Sequence, residues 1–170
     1  MILKIFKIKE DKMIKDFINH IDNAIKSNKL FDHDAISSKY MTTYNYFSEL
    51  DGREVFDVFK NKYLPEFSIS ECWGVKNEKN DEVYKHNHLN VGYKKNQGTY
   101  EVSGLMYLTD SEDGTHFNDL KITEKAEKGK VVLFTSNEYH SVPKIKDNNR
   151  YVISFNGYNK YYYDSYRSVL

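Results

Sequence analysis

The segment YKHNH places His86 and His88 one residue apart. On a β-strand, residues two apart point to the same face, so this spacing lines up Tyr84, His86 and His88. Two imidazoles side by side can chelate a metal, and imidazole suits iron, zinc, copper and nickel. Such a pair alone is more often a surface or hydrogen-bonded pair than a metal site. His140 strengthens the metal reading. It follows the apolar run KVVLF within SNEYHSVP, where a strand returning beside the first can set a third imidazole across from the pair. Three ligands on one side of an iron leave open positions, the layout that non-haem iron oxygenases need. Arg150 opens the apolar strand RYVISF, just after KDNN. A guanidinium pointing inward from such a strand must be paired, and its planar fork matches a carboxylate at two points. Val152 and Ser154 share its face, so the Ser154 hydroxyl is placed to help hold the same carboxylate.

The elements that must position these side chains divide the chain into a helical first third and a strand-rich remainder. Residues 2–9 read as a strand. Asp11 is placed to cap a helix to about Asn28, with Ile14, Phe17, Ile18, Ile21 and Ile25 on one face. A second helix over 52–64 carries Val55, Phe56, Phe59 and Tyr63 on one face and ends at Pro65. Residues 31–50 give no assignable pattern. Strands are expected at 67–76, 82–89, 99–109, 115–122, 130–135, 139–143 and 150–156. VSGLMYLT and KVVLF are apolar on both faces, as doubly covered strands are. Many short strands after a helical layer predict a β-sandwich or barrel with helices packed on one sheet, an α+β architecture.

With 170 residues and only two prolines, the chain reads as one domain: 1–66 as helical support, 67–158 as β core and 159–170 as a C-terminal segment. Lys+Arg and Asp+Glu both number 25, so there is no electrostatic footprint for nucleic acid and no pull towards an anionic membrane. No apolar run approaches the length of a membrane span, and the N-terminal stretch lacks the pattern of a signal peptide. The single cysteine, Cys72, allows no intrachain disulfide and fits a reducing compartment. The expected setting is the cytoplasm. The richness in Lys, Asn, Tyr and Ile resembles proteins of AT-rich genomes, many phages among them.

The order HxH, then His140, then Arg150 ten positions on resembles the double-stranded β-helix oxygenases that use Fe(II) and 2-oxoglutarate. The prolyl-hydroxylase-like group and small oxygenases of phages and marine bacteria are nearest in pattern. The likeness runs from about Cys72 to Tyr158 through CWGV, SGLMYLT, DGTHF, KGKVVLF, EYHSVP and RYVISFN. It implies a jelly-roll, cupin-like core, with Fe(II) on His86, His88 and His140 and the distal carboxylate of 2-oxoglutarate on Arg150. It also implies a cosubstrate hydrogen bond from Tyr107, dioxygen as the oxidant, and ascorbate as an allowed addition. The chemistry implied couples decarboxylation of 2-oxoglutarate to succinate with oxidation of a C–H bond in a peptide or small molecule. Two features depart from the pattern. His88 stands where an aspartate or glutamate is usual, and the connection 89–102 is long, as a lid over a substrate would be.

Two other readings compete. A cupin-type metalloprotein without 2-oxoglutarate also uses HxH and a later histidine, but has no need of Arg150. A non-catalytic binding module of the same fold has no need of the whole constellation. Blander roles are expected for several residues: core packing for Trp73 and Cys72, a neighbour's hydrogen bond for His116, structural or solvated positions for His20 and His33. Tyr84 is divided between cosubstrate contact and packing. The tyrosine run 161–163 suits a segment packed on a sheet, and the charged stretch 124–130 suits a solvated turn. Neither the substrate nor the oligomeric state is legible.

Overall fold

In the computed structural model, the described residues are 1–31, 40–89, 101–146 and 149–160. His33, the tyrosine run 161–163 and most of the long connection after His88 lie outside them. Two antiparallel sheets face each other. The larger contains β1 (Ile2–Lys7), β2 (Tyr40–Met41), β3 (Phe67–Asn77), β5 (Val102–Tyr107), β8 (Lys130–Thr135) and β10 (Arg150–Asn159), in the order β1-β8-β5-β10-β3-β2. The smaller contains β4 (Val83–His86), β6 (Ser111–Phe117), β7 (Ile122–Ala126) and β9 (His140–Val142), in the order β4-β9-β6-β7. This is the α+β jelly-roll architecture expected. The first third contributes more than support, because β1 pairs with β8 and β2 with β3 at the two edges of the larger sheet.

Helices α1 (Asp11–Lys26) and α2 (Arg53–Tyr63) cover the outer face of the larger sheet. Met13, Ile14, Phe17, Ile21 and Ala24 of α1 and Phe56 and Phe59 of α2 are buried there with Cys72, Met106, Leu133, Ile153 and Phe155. Gly74 lets α1 lie close, since a Cβ at that position would meet Ile21 Cγ1 at 2.5 Å. Strands β5 and β8 are covered on both sides, which explains their unbroken apolar runs. Their alternate residues Leu105, Tyr107, Val132 and Phe134 form a second core between the sheets with Phe117, Ala126 and Val152.

Three expectations change. Asp11 is the first residue of α1, with Glu10 at the cap position and no side-chain capping bond. Both carboxylates take cations instead: Glu10 bonds Lys62 and the Tyr63 hydroxyl at the end of α2, and Asp11 meets Lys128 at 2.6 Å. The single strand expected at 115–122 is the hairpin β6–β7, turned through a left-handed Lys121 (φ 55). The charged stretch 124–130 is a turn only at 128–129. It supplies the end of β7, buries Ala126, and draws Lys130 Nζ onto Glu124 at 3.2 Å. None of the described helices is long and apolar enough to cross a membrane.

Candidate active site

Strand register builds the site row by row on the inner face of the larger sheet. Arg150 lies opposite Asn77, Val152 opposite Val75 and Tyr107, and Ser154 opposite Trp73 and Leu105. The smaller sheet faces these rows with Val83, His86, Thr115, His140 and Val142, and His88 follows β4. All but Tyr107 line one cavity between the sheets.

The three histidines converge. One ring nitrogen from each of His86, His88 and His140 lies within 4.8 Å of the others. His86 and His140 are paired across β4 and β9, and their ring centroids are 4.3 Å apart. The two are wired alike. Nδ1 of His86 meets the Tyr84 carbonyl at 2.8 Å, and Nδ1 of His140 meets the Glu138 carbonyl at 3.1 Å. A carbonyl only accepts, so each Nδ1 carries a proton and Nε2 is the nitrogen left to ligate a metal when the ring is neutral. That of His140 faces Nε2 of His88 at 3.3 Å. Burial, then the charge of His86, pushes the pKa of His140 down to about 3, against the raising effect of the Glu138 carbonyl. His140 is therefore neutral at pH 7, the state that ligates a metal. His88 is fixed by its backbone N–H bonded to the Ser136 carbonyl and by Trp73, stacked on its ring at 5.9 Å. Three imidazoles with ring nitrogens this close together suit a borderline divalent ion such as iron, nickel or zinc. Among the described residues no carboxylate joins the cluster, and the donor set is uncharged.

Arg150 closes the other end of the cavity. It is 3% exposed. Nε donates to the Asp113 carbonyl at 3.2 Å, Nη1 to Asn77 Oδ1 at 2.8 Å and Nη2 to Thr115 Oγ1 at 3.5 Å. A guanidinium has five N–H donors, more than these three contacts use, and the Tyr107 hydroxyl lies near enough to share in them. Burial lowers its pKa while Tyr107 and Asp113 raise it, and a guanidinium stays charged regardless.

Other expected residues fall elsewhere. Tyr84 does not share the face of His86. Three steps along β4, from Val83 to His86, answer two along β9, from Val142 to His140. The bulge turns Tyr84 outward, where it is 52% exposed in a shallow hollow with His116 and Pro143. Tyr107 is fully buried beneath the cavity rather than lining it. Its hydroxyl lies 2.8 Å from Thr115 Oγ1 and 3.1 Å from the Glu124 carbonyl, and accepts from the Thr115 N–H at 3.2 Å. Its ring packs 5.4 Å from the Arg150 guanidinium carbon. Ser154 lines the cavity at the level of Trp73, four residues or about 13 Å of strand from Arg150. Trp73 is a cavity wall rather than plain core. His116 bonds Thr123 at 3.0 Å, and Cys72 is buried under the helices, as expected. Reading the sequence missed Asn77 and Thr115. Asn77 carries the inward alternation of Trp73 and Val75, a signal that was present.

No family model matches the chain, and no curated protein sequence matches it. Solved structures do. The viral collagen prolyl hydroxylase of Paramecium bursaria Chlorella virus-1, in complex with 2-oxoglutarate, is 14% identical. It covers 89% of this chain and 94% of its own, with a TM-score of 0.62. HygX of Streptomyces hygroscopicus, with nickel and 2-oxoglutarate bound, is 12% identical and covers 92% and 82%, with a TM-score of 0.63. A prolyl hydroxylase of Trichoplax adhaerens, in complex with a hypoxia-inducible-factor peptide, is 12% identical and covers 92% and 84%, with a TM-score of 0.62. Fold and topology are thus those of the 2-oxoglutarate–Fe(II) oxygenases. At such identities the likeness establishes the fold, and function rests on the site.

Proposed function

We propose that this chain is a non-haem Fe(II)- and 2-oxoglutarate-dependent oxygenase that oxidises a C–H bond of a peptide or small molecule. One observation carries the reading: three converging imidazoles and a buried guanidinium share one cavity. His86, His88 and His140 would hold the metal, and Arg150 the distal carboxylate of the cosubstrate. Tyr107 acts one layer below, bracing Arg150 by its ring and Thr115 by its hydroxyl. Iron with 2-oxoglutarate and dioxygen supplies the oxidising power, and the residues supply position and the exclusion of water. The uncharged donor set also suits a cupin-type metalloprotein that dispenses with 2-oxoglutarate. The buried guanidinium of Arg150 in the same cavity favours the oxygenase.

Calorimetric titration of 2-oxoglutarate into the Mn(II)-loaded protein tests the reading. Removing one partner of a buried charge-assisted pair costs about 2–5 kcal/mol, so Arg150→Ala should weaken 2-oxoglutarate roughly thirty-fold to several-thousand-fold. Arg150→Lys should recover part, keeping the charge without the fork. Mn(II) affinity should stay at the parent value in both variants. Equal 2-oxoglutarate affinity in Arg150→Ala and the parent would remove the cosubstrate assignment and move the cupin reading ahead.

A further inference from the structure

The cavity between the sheets is short of negative charge. Among the described residues that line it, Arg150 is the only ionisable one besides the histidines, and none is an aspartate or glutamate. The buried acids of the described residues are Glu71, Asp113 and Glu138, and all three lie outside that lining. Each is engaged elsewhere. Asp113 acts on the charge of Arg150, Glu71 accepts from Asn156 Nδ2 at 3.2 Å, and Glu138 takes the Met1 amine. Residues 90–100, which follow His88 in the chain, include no acid to stand in for the carboxylate ligand that His88 replaces. Imidazoles ligate a metal in their neutral form, so His86, His88 and His140 would leave a divalent ion its full charge. 2-Oxoglutarate is a dianion. With its distal carboxylate on Arg150, one carboxylate remains for the ion, and one positive charge stays uncancelled. An aspartate or glutamate at position 88 would cancel it. Uncompensated charge held away from water is costly, and the apolar walls, Val75, Val83, Leu105, Val142 and Val152, do not solvate it.

We infer that the metal end of the cavity, away from Arg150, takes a second anion beside 2-oxoglutarate, and that the substrate is an organic acid whose carboxylate supplies it. The inference rests on the oxygenase reading and deepens it. Attraction between opposite charges is far stronger in a water-poor site than in bulk water. A substrate acid therefore gains at this end what its neutral analogue does not, and a cationic substrate is repelled. His88 thereby sets the charge of the substrate as well as holding the metal.

The test uses the full chain loaded with Co(II) and saturated with 2-oxoglutarate, and it reads the visible absorption of Co(II), so it needs no turnover. Azide, a monoanion, and imidazole, a neutral ligand, are the probes. The ratio of azide to imidazole affinity should be roughly ten- to several-hundred-fold higher in the parent than in His88→Asp, which restores a negative ligand. Taking the ratio removes any change in metal affinity common to both probes. In the parent, acetate should displace azide at concentrations where chloride does not. This second measurement needs no variant, so it stands even where His88→Asp fails to fold. Equal ratios in the two proteins, with Co(II) and 2-oxoglutarate bound, sink the inference and leave the oxygenase reading standing. Acetate that fails to displace azide, or chloride that matches it, overturns the organic-acid substrate. Failure of Co(II) or 2-oxoglutarate to bind the parent overturns the oxygenase reading and this inference with it.

Discussion

His86 and His140 obtain their orientation from backbone carbonyls two residues upstream, and His88 from an indole. That indole is a reporter. Trp73 is the only tryptophan in the chain and lies against the His88 ring. Titration with Ni(II) should quench its emission in the parent, and His88→Ala should abolish the quench at the same metal concentrations. Undiminished quenching in His88→Ala would put the metal somewhere else. The three histidines and Arg150 were legible because an inward His or Arg is conspicuous among apolar side chains, whereas Asn77 and Thr115 were not. Tyr84 was misread because its placement depends on a one-residue bulge that no turn residue announces. Tyr107 was placed in the right strand, but the direction of its hydroxyl is set by β6, which crosses below it. That is a tertiary fact with no local signature.

At the level of elements, the helical periods of α1 and α2 and the doubly apolar runs of β5 and β8 were legible from side-chain pattern alone. The β6–β7 hairpin was not, since its turn uses Lys121 at positive φ rather than glycine. Docking of α1 on the sheet depends on a missing side chain. Gly74→Ala would drive a methyl into Ile21, with Phe47 Cε2 at 3.1 Å behind it, and should cost about 1–3 kcal/mol in denaturant unfolding. A ΔΔG near zero would mean that the helix slides freely. The helix ends are linked by Glu10. Its carboxyl is held down to about 2, chiefly by the hydrogen bond from Lys62 and then by that from Tyr63. A depressed carboxyl stabilises the fold above its unfolded pKa near 4.5 and loses that contribution as pH falls towards 2. Between these limits Glu10→Gln should show a shallower decline of Tm with falling pH than the parent. Parallel curves would show the contact to be inert, an outcome that exposed pairs often give.

For the molecule as a whole, ligand binding and folding are linked. A ligand at a hundred times its dissociation constant stabilises by about 2.7 kcal/mol, and each kcal/mol shifts Tm by about 2–4 °C in a chain of this size. Zn(II) should raise Tm in both the parent and Arg150→Ala, and 2-oxoglutarate should add a second increment in the parent alone. A second increment of equal size in Arg150→Ala would detach the cosubstrate from that end of the cavity. The balanced charge of 25 against 25 leaves no net charge on the chain to steer an ionic ligand.

The pairing of β10 with both β3 and β5 bears on how such a chain can vary by descent. Alternate residues of β10 serve two masters: Arg150, Val152 and Ser154 face the cavity, while Ile153 and Phe155 pack under the helices. Losing or gaining one residue within the strand would exchange the two sets, sending the guanidinium towards the helical layer and phenyl rings into the anion pocket. The connection between β9 and β10 has no strand alternation to keep, although Ile145 within it is buried and bonded to Asn80 and Asp81. Length variation is therefore expected to accumulate in that connection and to be purged from the strand, although the two adjoin in the gene.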